Sequence, residues 1–60
     1  MVRYENKAYR IEEYHDTPLP FSLDRKESSD EHICLVNIGW FASLDSAIRA
    51  MNRDAYPELQ

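Results

Sequence analysis

Apolar and polar residues alternate in short runs over the first half of the chain and then change period. Val2-Arg3-Tyr4 and Tyr9-Arg10-Ile11-Glu12 both repeat every second residue, the pattern of a strand with one face turned inward. Glu5-Asn6-Lys7 between them is polar, and Asn6 suits a turn because it tolerates positive φ. A hairpin is predicted here, against the alternative of one bulged strand over 2–14. Asp16-Thr17-Pro18-Leu19-Pro20 then breaks the pattern, since its two prolines lack backbone donors and hold the residues before them extended. Phe21-Ser22-Leu23 predicts a further short strand, and the wholly polar run 26–31 an exposed loop.

Residues 32–41 give the strongest strand pattern. Ile33 and Leu35 fall on one face, and Cys34, Val36 and Ile38 on the other. A strand apolar on both faces is expected at the centre of a sheet, covered on both sides. Gly39 marks a bend or bulge before Trp40 and Phe41. The period then becomes helical: Leu44, Ala47, Ile48 and Met51 recur at i, i+3, i+4 and i+7 to give one apolar stripe. Ser43 is a fitting N-cap, Asp45 and Arg53 complement the helix dipole, and Asp45 with Arg49 forms an i, i+4 pair. Pro57 stops any continuation, leaving Glu58-Leu59-Gln60 as a tail.

These elements predict an α+β fold, β-β-β-α with a possible fourth strand. The sheet is small, three- to four-stranded and antiparallel, with one C-terminal helix packed on one face. Residues 1–56 form the domain and 57–60 the tail. One helix covers only one face, so an open sheet face is expected to mark an interface. At 60 residues the core is small, and self-association is a common way to complete one. A homodimer, or docking on a protein partner, follows, with Tyr4, Tyr9, Ile11 and Trp40 as the predicted contacts.

Charge narrows the choice of partner. The formal net charge is −4, with seven basic residues against eleven acidic. Residues 11–32 hold seven of the acidic groups: Glu12, Glu13, Asp16, Asp24, Glu27, Asp30 and Glu31. This balance disfavours duplex nucleic acid, whose affinity comes largely from basic groups that displace counterions. Two further readings remain open. Arg3, Lys7, Arg10, Arg49 and Arg53, with tyrosines for stacking, outline a nucleic-acid contact surface. The acidic stretch outlines an inhibitor that occupies a basic cleft.

Candidate chemistry is sparse. His15, Asp16, His32 and Cys34 are residue types that zinc accepts, and Cys34 with a histidine is a conceivable nucleophile and base. Against both, Cys34 lies in an apolar run and is expected to be a small buried hydrophobe. Glu12 and Glu13 are adjacent, so on a strand they point to opposite faces and cannot share a proton. With one glycine there is no phosphate-cradling loop. The expectation is a non-enzymatic module with no cofactor or metal.

The N-terminal Met-Val-Arg-Tyr-Glu lacks the apolar core of a secretory signal, and no apolar run approaches the roughly twenty residues of a membrane span. A single cysteine suits a reducing cytoplasm. By fold-level analogy, small domains of this kind serve as accessory or regulatory proteins in bacteria and their phages.

Overall fold

The computed structural model describes residues 1–29 and 31–59. Four strands, β1 (Val2–Glu5), β2 (Tyr9–Glu13), β3 (Phe21–Ser28) and β4 (Ile33–Phe41), precede one helix, α1 (Leu44–Ala55), and a 3-10 turn, Pro57–Leu59. All neighbours are antiparallel and the spatial order is β1-β2-β3-β4, a meander. The chain is therefore an α+β domain with a four-stranded antiparallel sheet and one C-terminal helix, and the first segment is a hairpin rather than one strand.

The hairpin turn works by a different device from the one predicted. Asn6 accepts from the backbone N–H groups of Ala8 and Tyr9 through Oδ1, at 2.8 and 2.7 Å. Its backbone is not left-handed; among the described residues, Asp16 in the proline-bearing loop is the non-glycine residue with positive φ, at 60°. The asparagine closes the turn with its side chain acting as an extra acceptor, an Asx turn.

Strand pairing fixes which residues share a face. Tyr9 pairs with Arg25, Ile11 with Leu23, Leu23 with Gly39 and Phe21 with Phe41, all on the face that α1 covers. Tyr9, Ile11, Phe21 and Leu23 form the core with Ala47 and Met51, and Ile38, Phe41, Leu44 and Ile48 pack around it. Ile11 and Leu23 are 0% exposed. Gly39 sits beside a register shift in which β4 gains one residue relative to β3, so the predicted irregularity is present. A Cβ on Gly39 would lie 3.2 Å from the Phe41 ring, which folds over it.

Ser43 has extended backbone, with φ −139° and ψ 158°, and its Oγ accepts from the Ser46 N–H at 3.1 Å. Asp45 and Arg49 pair at 3.0 Å, as the i, i+4 spacing implies. The helix ends at Ala55, followed by the 3-10 turn over part of the expected tail; Gln60 lies outside the described residues.

Two expectations are corrected. β4 is not central but an edge strand, and β2 and β3 take the centre. Residues 26–28, expected in a loop, extend β3 alongside Cys34 and Ile33. Both corrections have one cause: β3 and β4 run on together past the end of β2, whose last partner on β3 is Arg25. The result is a two-stranded arm with both faces exposed at Glu27 and Ser28, while Lys26 at its base is half-buried and paired with Glu5. No helix among the described residues is long and apolar enough to cross a membrane.

Candidate functional site

The sheet face away from α1 is polar over β2 and β3. Glu5 pairs with Lys26 at 2.6 Å, and Arg10 with Glu12 at 3.4 Å. Asn37 donates to Ser22 Oγ and Asp24 Oδ1, each at 3.1 Å, binding the middle of β3 to β4. The Lys26 ammonium holds the Glu5 carboxyl below the usual range through their hydrogen bond and its charge.

Apolar side chains on this face are Val2 at the β1 edge, opposite Glu12, and a larger group on β4 with its neighbour Tyr14. Trp40 pairs with Ser22, Leu35 with Lys26 and Ile33 with Ser28, so the three share the open face with Asn37 between them. Their exposures are 45, 47 and 72%. The Tyr14 ring lies against Trp40, with centroids 5.3 Å apart and planes inclined at 48°. Desolvation, followed by the nearby Glu12 carboxylate, pushes the Tyr14 phenol up. On the other side of β4, Val36 and Cys34 are also exposed. The predicted burial of Cys34 is thus overturned, because the arm extends past the helix that would have covered it.

The four predicted partner contacts do not form one surface. Trp40 is on the open face. Tyr9 and Ile11 are buried beneath α1, and Tyr4, paired with Ile11, lies on the helix side of the edge strand β1. Alternation does identify the inward residues of β2; which face a helix covers is a tertiary property that alternation leaves open. The basic residues are likewise dispersed. Arg3 is engaged by Glu13 at 2.6 Å, Arg10 by Glu12 and Arg49 by Asp45, whereas Lys7 and Arg53 make no ion pair among the described residues. Most of the described acidic residues in 11–32 are also engaged: Glu12 and Glu13 as above, Asp24 by Asn37, and Glu27 by Arg25 at 2.9 Å. Among the described residues no three of His, Cys, Asp and Glu come together as a metal site.

A second feature lies where α1 ends. Tyr9 donates its phenol proton to Asp54 Oδ2 at 2.5 Å, and Arg25 Nη1 donates to both carboxylate oxygens at 3.1 Å. Together they lock the last turn of the helix to β2 and β3. The hydrogen bond from Tyr9, reinforced by Arg25, holds the Asp54 carboxyl low against the opposing effect of burial. Asp54 in turn pushes the Tyr9 phenol up, with desolvation adding to it. Beside this lock an open groove of about 400 Å³ runs between the Asn6 turn and the helix, lined by Tyr4, Tyr9, Met51 and Tyr56 among others. Sequence reasoning missed the lock. Its members are 29 and 45 residues apart, and only their place on facing elements joins them.

The chain matches no protein-family model, and comparison with curated proteins and with solved structures returns no match.

Proposed function

We propose that the protein is a small, non-enzymatic, regulatory protein-binding module. Its contact surface is the Tyr14–Trp40 pair and the apolar open-face residues of β4. One observation carries this reading: the open face gathers four exposed apolar side chains, Tyr14, Ile33, Leu35 and Trp40, at its β4 side, while most polar groups on the rest of that face are engaged by ion pairs and hydrogen bonds within the chain. Tryptophan and tyrosine are the residue types most enriched among energetically dominant interface contacts. The acidic-inhibitor reading is weaker, because Glu12, Glu13 and Glu27 already hold cations of this chain. A nucleic-acid role through Arg49 and Arg53 is the alternative, supported by Arg53 being free of ion pairs among the described residues. A reducing cytoplasm is the compartment that suits the exposed Cys34 thiol.

The test is affinity capture from native lysate with the wild type and Trp40→Ala, with and without nuclease. A protein retained after nuclease and lost with Trp40→Ala is the expected result. Capture that Trp40→Ala leaves unchanged overturns the assignment of the surface. Capture that collapses with nuclease replaces the reading with the nucleic-acid one.

A further inference from the structure

The two edges of the sheet are built differently. β1 is four residues long, carries Arg3 and Glu5, and is interrupted by a register shift. Shortness, charge and irregularity are the devices that keep an edge from pairing with another chain. β4 is nine residues long, ICLVNIGWF, with neither a charged residue nor a proline. Its irregularity falls late, between the positions of Asn37 and Gly39, and leaves Ile33 to Asn37 as a regular segment. The same segment forms half of the arm that β2 does not reach, and a two-stranded ribbon is marginal in water without a further strand or cover.

We infer that β4 pairs antiparallel with β4 of a second copy, about a two-fold axis at Leu35, to make a continuous eight-stranded sheet. Leu35 is the middle of the regular segment, and pairing about it is self-complementary. Leu35 meets Leu35, Cys34 meets Val36 and Ile33 meets Asn37, so no charged residue enters the seam. The arm becomes four-stranded, and the open-face residues Ile33 and Leu35 of both copies join into one patch with a Trp40 at each end. This inference concerns the edge of β4 and stands apart from the proposed docking on its face.

Light scattering and sedimentation over a concentration series, with Leu35→Glu as the variant, provide the first test. In the isolated chain the new carboxylate faces Lys26 across the strands and is tolerated; on the two-fold axis it meets its own copy, and like charges directly opposite are unfavourable. The wild type should reach twice the chain mass, and Leu35→Glu should stay monomeric with an unchanged circular dichroism spectrum. A wild type monomeric at every concentration, or a dimer unaffected by Leu35→Glu, overturns the inference.

A second test reads the register without weakening the contact. In it, Val36→Cys places a new thiol opposite the partner's Cys34, within disulfide reach at about 5 Å between Cα atoms. Like thiols at 34, or at 36, are separated by about 8 Å in the same register, beyond that reach. Oxidised glutathione should link Val36→Cys into covalent dimers at least tenfold faster than the wild type or Cys34→Ser/Val36→Cys. Equal rates in all three refute the register. A dimer that captures no partner leaves the edge pairing standing and removes the docking function, and a monomer that captures one through Trp40 does the reverse.

Discussion

Asp54 is the residue on which most of the helix attachment converges. It accepts from Tyr9 and from Arg25, two strand residues that pair directly with each other. Hydrogen bonds to a charged group contribute roughly 1.5–3 kcal/mol, so Tyr9→Phe and Asp54→Asn should each lower stability by about that amount. Because both variants weaken the same charge-assisted bond, their losses should be less than additive in the double variant, which chemical denaturation of the four proteins will measure. The pH dependence follows from the directions of the shifts. The Asp54 carboxyl is lower in the folded chain than in the unfolded one, so its contribution is complete above the ordinary carboxylate pKa. That contribution fades as pH falls through the depressed native value. The Tyr9 phenol is raised, so its contribution is complete below about 10 and fades as pH rises through the native value. Thermal melts across pH should show both slopes in the wild type and a shallower profile in Asp54→Asn. At Gly39, the Phe41 ring stands where a Cβ would go. Gly39→Ala should therefore displace that ring and cost on the order of 1 kcal/mol, in the range of modest overpacking.

At the scale of elements, legibility in the sequence depended on whether the signal was local. α1 was legible because its cap, dipole charges and apolar stripe all lie within a dozen residues. Ser43→Ala should confirm the cap by lowering the melting temperature, at a cost of about 1 kcal/mol. The β1–β2 turn was placed correctly from Asn6, although it is the side-chain acceptor rather than a left-handed backbone that closes it. The position of β4 was not legible. A run apolar on both faces describes a strand wanting cover on both sides, and it reads the same whether that cover comes from its own chain or from elsewhere. The arm was missed for a related reason: Glu27 and Ser28 resemble a loop because an overhanging ribbon, like a loop, buries nothing. Of the predicted contacts, Trp40 lies exposed on the open face. Tyr9 and Ile11 were assigned to the wrong face, since alternation separates two faces without saying which one the helix takes.

The whole molecule is held by a core of few residues. A chain of 60 residues is expected to have a stability of only about 3–9 kcal/mol. Leu23→Ala, at a fully enclosed position, should remove about 2–5 kcal/mol of it, a large share of the total, and lower the melting temperature steeply, as near-ultraviolet dichroism on heating will show. Net charge sets a second prediction at this scale. Two copies of −4 repel through solvent, so added salt should tighten the self-association of the wild type. Binding of an acidic inhibitor to a basic cleft would weaken under the same salt, so one titration separates the two. The spatial order of the strands, β1-β2-β3-β4, is also their order in the chain, and this bears on how the protein comes into being. Each new strand finds its neighbour already made, so the sheet can zip from its first turn with short loop closures, a topology that favours rapid folding. The lid of the core, however, is synthesised after all four strands. Until residues 44–55 have emerged, Ile11 and Leu23 face water beside an unprotected β4, and the nascent sheet passes its most aggregation-prone moment just before it is finished.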